Sequence, residues 1–144
     1  MLRLAAFAVT SVLAAAAAGP LPPLPLNLLS PSAPAPDRLT VSVSNTGNPL
    51  ADGDYSLECD PAGGNHPRAH DACARLDTFA KNGENPFAPV SKRQFCTMVD
   101  GGPATARITG TWDGRRVDAT FQRTNGCDIA RWNNMEPVLP SGRA

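Results

Sequence analysis

The stretch from Pro103 to Gln122 leaves the chain little choice of fold. Ala104, Ala106, Ile108, Gly110 and Trp112 share one parity, and Thr105, Arg107, Thr109 and Thr111 take the other. Asp113-Gly114 follows, the residue pair that a two-residue type I′ turn prefers. Beyond it Val117, Ala119 and Phe121 alternate with Arg116, Asp118, Thr120 and Gln122. A two-residue loop pairs Trp112 with Arg115, Gly110 with Val117, Ile108 with Ala119 and Ala106 with Phe121. The turn chemistry and the apolar pattern thus predict one register independently, because a slip by a single residue would turn the apolar set to solvent. Arg115 is expected beside Trp112, over its ring, with packing as the main role of that tryptophan.

Two more segments show period two. Leu39, Val41 and Val43 alternate with Thr40, Ser42 and Ser44, and Tyr55, Leu57 and Cys59 alternate with Ser56 and Glu58. They read as strands joined by a turn over 45–54, which is rich in Gly, Asn, Asp and Pro. After a loop over 60–65 the period changes. Ala69, Ala72, Cys73, Leu76 and Phe79 or Ala80 follow helical spacing, with Pro67 at the first helical position and Asn82-Gly83 as the stop. Past Cys127, Ile129 to Trp132 reads as one helical turn and Met135 to Leu139 as an edge strand limited by Pro137 and Pro140.

The first 37 residues read differently. Met1-Leu2-Arg3 is a short positive start, and an apolar run then ends in five alanines, with Ala16 and Ala18 fitting a small-residue cleavage rule. Residues 1–18 read as a secretory signal peptide, too short for a membrane span. Seven of the fifteen prolines fall between Pro20 and Pro36, so 19–37 reads as a flexible Pro/Ala-rich arm. The globular domain is expected over 38–144. Thirteen basic residues balance thirteen acidic ones, which argues against a grip on nucleic acid or a polybasic membrane anchor.

Export implies an oxidising compartment, where the four cysteines, Cys59, Cys73, Cys96 and Cys127, form two disulfides. Their spacing leaves all three connectivities open. No C-x-x-C spacing supports zinc, and no cofactor is implied. His66 and His70 stand four apart but lack the glutamate of a zinc-protease helix, and read as exposed surface histidines. No nucleophile-elbow pattern is present, so an enzyme is not expected.

Between helix and hairpin lies 82–102, a long segment without firm periodicity, and such segments in compact domains are usually functional or disordered. It contains Phe95-Cys96-Thr97-Met98-Val99-Asp100. Met98, close to a cysteine and ahead of Gly101-Gly102-Pro103, reads either as presented to solvent or, with Val99, as a core residue of a short strand, and the local sequence leaves both open. From here the chain resembles the Streptomyces subtilisin inhibitor family, secreted inhibitors of serine proteases. The likeness rests on Leu57-Glu58-Cys59-Asp60-Pro61 with Gly63-Gly64-Asn65-His66-Pro67, on Ala72-Cys73-Ala74-Arg75-Leu76, on Cys96-Thr97-Met98-Val99, on Trp112-Asp113-Gly114-Arg115-Arg116-Val117, and on Asn125-Gly126-Cys127.

The resemblance implies an α+β fold, a five-stranded antiparallel sheet with two helices packed on one face. It implies disulfides Cys59–Cys73 and Cys96–Cys127, and a homodimer formed through the sheet. It implies that Met98 enters the primary pocket of a subtilisin-like or chymotrypsin-like serine endopeptidase. Met98–Val99 is then the reactive bond, Cys96, Thr97 and Asp100 flank it, and Asn125 supports the loop from behind. Two departures stand out. Thr97 replaces a common proline, and Asp100-Gly101-Gly102-Pro103 is one residue longer than the usual Tyr-Asp-Pro, so the added glycine is expected to let that side of the loop sag. The alternative reading is a secreted, disulfide-stapled binding module that kept the scaffold and lost strong inhibition.

Overall fold

A computed structural model describes residues 35–142 together with Gly19. The signal peptide expected over 1–18 and most of the arm expected over 19–37 lie outside the described residues.

The alternating residues form strands where their period predicts. Strand β1 is Arg38–Ser44 and strand β2 is Gly53–Glu58. They pair antiparallel with Leu39 opposite Leu57 and Val41 opposite Tyr55. A two-residue strand β3, Gly63–Gly64, adds to the far side of β2. Strand β4 is Thr105–Trp112 and strand β5 is Arg115–Phe121. Their register is the one the turn and pattern predict, with Ala106 opposite Phe121, Ile108 opposite Ala119, Gly110 opposite Val117 and Trp112 opposite Arg115. Both turn residues take positive φ, 48° at Asp113 and 70° at Gly114, as a type I′ turn requires. The spatial order is β3-β2-β1-β4-β5, all neighbours antiparallel.

One parity from each long strand supplies the core: Leu39, Val41 and Val43 from β1, Leu57 from β2, Ile108 and Trp112 from β4, and Val117 and Phe121 from β5. Helix α1, Ala69–Asn82, buries Ala72, Leu76 and Phe79 against this face. Helix α2, Gly126–Asn134, buries Trp132 into the same cluster. Fully burying one such side chain contributes roughly 1.5–3 kcal/mol. The Cys59–Cys73 bridge joins the chain just past β2 to α1, so the helix is pinned to the sheet covalently. The second bridge is Cys96–Cys127, and no cysteine is free.

Several expectations need correction. Pro67 is not the first helical residue, because Arg68 is the N-cap at φ −129° and ψ 46° and α1 starts at Ala69. The Arg68 N–H is taken by the His66 ring (3.1 Å), which holds this turn open before the helix begins. His66 is not a surface residue: it is 8% exposed, with Nε2 2.9 Å from the Val138 carbonyl oxygen. His70 is exposed as expected. Arg115 stays in solvent, and the Trp112 ring instead meets Phe87 edge to face at 5.3 Å. Helix α2 is longer than the single turn expected. Met135 to Leu139 is not an edge strand. Met135, Val138 and Leu139 are all fully buried, because the chain curls back under α2 and sends three apolar side chains into one core instead of alternating. The fifth strand is β3.

Candidate functional site

No helix or strand interrupts the chain between Asn82 at the end of α1 and Thr105 at the start of β4. The irregular segment expected over 82–102 is therefore present, and its order comes from what it is tied to. Phe87 is buried against Trp112. The Arg131 guanidinium on α2 donates to three carbonyls, of Ala88 (2.8 Å), Phe87 (3.1 Å) and Thr120 on β5 (2.7 Å). It lies 3.8 Å from the centroid of the Phe121 ring. Burial pulls its ionisation below the ordinary arginine value. One side chain thus joins the start of the loop, the second helix and the sheet.

The chain then moves out into solvent. Phe95 is fully exposed, Met98 is 97% exposed and Val99 is 52% exposed. Large apolar side chains in contiguous exposure mark interaction surfaces, because each leaves apolar area in water that a partner would cover. Cys96 is bonded to Cys127 on the first turn of α2. The Thr97 carbonyl accepts from Val99 N–H (3.0 Å) and from Gly126 N–H (2.9 Å). The Asp100 carboxylate accepts from Gly102 N–H (2.9 Å). Gly101 N–H donates to the Arg123 carbonyl (2.7 Å), and Arg123 Nε donates back to the Gly101 carbonyl (3.0 Å).

These contacts fix the backbone on both sides of Met98–Val99 and leave the two side chains free. Two glycines permit the close fit. A Cβ on Gly126 would lie 2.0 Å from Thr97 Oγ1, and a Cβ on Gly101 would lie 2.7 Å from Ile129 Cγ1. The loop therefore rests directly on α2. The expected sagging of the longer side is not what the structure shows, since Gly101 is held by two hydrogen bonds.

The structure brings together Cys96, Thr97, Met98, Val99 and Asp100 on one exposed segment with Cys127 behind it. Asn125 stands at the start of α2, next to the Gly126 whose N–H bonds the Thr97 carbonyl. Its side-chain oxygen accepts from Asp128 N–H (2.9 Å) and its amide donates to the Asp128 carboxylate (2.9 Å), which makes it the N-cap of α2. Asp128 also accepts from Thr124 Oγ1 (2.8 Å) and Gln122 Nε2 (3.1 Å). Asn125 and Asp128 shape the turn, and their neighbours Gly126 and Arg123 touch the loop. The spacing Asn125-x-x-Asp128 is a helix-start signature that would have revealed α2. Arg123 was also findable. It continues the core parity of Val117, Ala119 and Phe121, a charged residue where an apolar one is due.

No group of His, Cys, Asp or Glu side chains among the described residues could hold a metal ion, and no helix among them is long and apolar enough to cross a membrane.

The family model for subtilisin inhibitor-like domains matches residues 33–125. The chain is similar to subtilisin inhibitor-like protein 1 of Streptomyces cacaoi, with 34% identity over 80 residues, covering 53% of this chain and 69% of that protein. It is similar to protease inhibitor SIL-V2 of Streptomyces orinoci, with 29% identity over 99 residues, covering 66% of this chain and 86% of that protein. Among solved structures it resembles Streptomyces caespitosus sermetstatin in its complex with Bacillus licheniformis subtilisin (TM-score 0.47, 24% identity, 74% of this chain and 100% of that one). The chain belongs to the subtilisin inhibitor-like family, whose members are protease inhibitors and not enzymes.

Proposed function

We propose that this chain is an exported, substrate-like inhibitor of subtilisin-like or chymotrypsin-like serine endopeptidases, with Met98–Val99 as its reactive bond. The observation that carries this reading is a methionine 97% exposed at the crest of a backbone held on both sides. Ordering a free peptide of that length in a protease cleft costs on the order of 6–12 kcal/mol in backbone entropy. Here the fold has already met most of that cost, so contact energy at the cleft appears as affinity.

Met98 is the central anchor, and Cys96, Thr97, Val99 and Asp100 line the cleft beside it. A flexible thioether suits a broad apolar pocket, and Met98 carries no cation for the buried aspartate of a trypsin-type pocket. The protease serine attacks the Met98 carbonyl carbon. Collapse of the adduct forms an acyl-enzyme at Met98 and leaves Val99 as a free amine. The Cys96–Cys127 bridge and the Arg123–Gly101 contacts keep both new ends in place, so the amine re-attacks the ester faster than water does. The face of the sheet that carries Thr40, Ser42, Thr109 and Thr111 lies opposite the helices, and it is the face through which a homodimer would form.

Titrating subtilisin with the domain should remove activity in proportion to inhibitor added. Met98→Asp should weaken inhibition by roughly 100-fold or more, the loss of about 3 kcal/mol expected of a buried interface anchor, with the circular dichroism unchanged. Rapid turnover at Met98–Val99 without inhibition would instead mark a module that kept only the scaffold. Equal inhibition by Met98→Asp would place the reactive bond elsewhere.

A further inference from the structure

Arg123 is 6% exposed, and none of the ion pairs among the described residues includes it. Among the described residues the groups it bonds are neutral. Nε donates to the Gly101 carbonyl (3.0 Å), Nη1 donates to Asn133 Oδ1 (2.9 Å), and the guanidinium carbon lies 5.8 Å from the Trp132 ring centroid. The tail closes over it, since a Cβ on Gly142 would lie 2.3 Å from Nη1. A buried charge that bonds only neutral groups among the described residues is a poor way to fill space, and an apolar side chain of similar size would commonly serve stability as well or better. What the guanidinium secures is Gly101. That residue has both its N–H and its C=O bonded to Arg123, through the main chain and the side chain respectively.

We infer that Arg123 is a positioning residue that keeps the new amine at Val99 in place when the Met98–Val99 bond is open. The inference rests on the reactive bond proposed above. Before cleavage Val99 N–H is bonded to the Thr97 carbonyl on the other side of the cut. Once the bond opens, the two pieces are held separately. The piece ending at Met98 keeps the disulfide at Cys96 and the Gly126–Thr97 bond. The piece beginning at Val99 has its first anchor at Gly101, two residues on. Without the Arg123 side chain Gly101 keeps one bond, its N–H to the Arg123 carbonyl, and the next firm anchor is Ala104, which is buried just before β4. Each time that single bond opens, the free tether lengthens from about two or three residues to about six, which lowers the effective concentration of the amine roughly 3- to 5-fold. The added residue of this loop is thereby held by a side chain from the turn after β5.

The test uses Arg123→Met, which keeps length and apolar packing on Trp132 and removes both donors, with Arg123→Lys beside it. Each protein is incubated with a catalytic trace of subtilisin until the ratio of cut to intact chain is constant. That ratio should rise in Arg123→Met, by up to roughly 5-fold, and recover in part in Arg123→Lys. Amide exchange at Gly101 and Gly102 should speed up in Arg123→Met while Gly126 keeps its protection, a readout that needs no protease. If Arg123→Met does not fold, Gly101→Ala replaces it. Its Cβ would meet Ile129 Cγ1 at 2.7 Å and lift the loop off α2, with the same expected shifts. Inhibition by the wild type with an unchanged ratio and unchanged Gly101 exchange in the variant would overturn the role of Arg123 and leave the reactive bond standing. Absence of inhibition by the wild type would overturn the reactive bond, and Gly101 exchange would still decide whether Arg123 holds the loop.

Discussion

Replacing Cys96 and Cys127 together by alanine separates what the second disulfide does for the fold from what it does for the loop. The two residues lie 31 apart in sequence, and on the chain-entropy estimate the bridge contributes about 3.7 kcal/mol. The Cys59–Cys73 bridge spans 14 positions and contributes about 3.0 kcal/mol by the same estimate. The two double variants should therefore lose similar stability, with melting temperatures lower by roughly 12–30 °C. Their inhibition should diverge sharply. Cys59–Cys73 joins the chain just past β2 to α1, whereas Cys96–Cys127 holds the reactive loop itself. Loss of Cys96–Cys127 frees Cys96, Thr97 and Met98 except for the Gly126 hydrogen bond. Reordering about three residues at ~1 kcal/mol each weakens binding by roughly 100-fold. Urea denaturation and subtilisin titration, both run where each variant is folded, measure the two effects separately. Equal inhibition by the two variants would refute the claim that this bridge preorganises the loop.

Peroxide should oxidise Met98 in preference to Met135, because one thioether is in solvent and the other is fully buried. The polar sulfoxide should then weaken inhibition by at least roughly tenfold without lowering the melting temperature, read by peptide mass mapping beside a titration. Arg131→Ala should destabilise the fold by on the order of 3 kcal/mol, since three carbonyls on two segments lose one charged donor. Arg131→Lys should recover part of this, and urea unfolding reads both.

The parts of this molecule that were legible in its sequence are those whose cause is local. The β4–β5 register follows from a turn dipeptide and a period of two, both contained in the residues that pair. The body and end of α1 follow from its apolar stripe and Gly83, which takes the left-handed C-cap. The exposed loop showed itself as a stretch with no period at all. What stayed hidden depends on distant partners. Strand β3 is two glycines, which carry no side-chain pattern, and it exists because β2 offers an open edge. His66 is buried because Val138, 72 positions later, returns to meet it. Met135, Val138 and Leu139 could alternate or converge, and only the core under α2 decides. Arg123 is covered by Gly101, Trp132 and Gly142, which nothing in its immediate sequence announces.

The central claim is that Met98–Val99 is opened and closed reversibly within an otherwise intact fold. Inhibitor cut at that bond by long exposure to protease is purified, then incubated with a catalytic trace of subtilisin and followed by mass spectrometry. Intact chain should reappear and settle at the ratio reached when the experiment starts from uncut protein. A cut chain that never reseals, or that is degraded at other bonds instead, contradicts it.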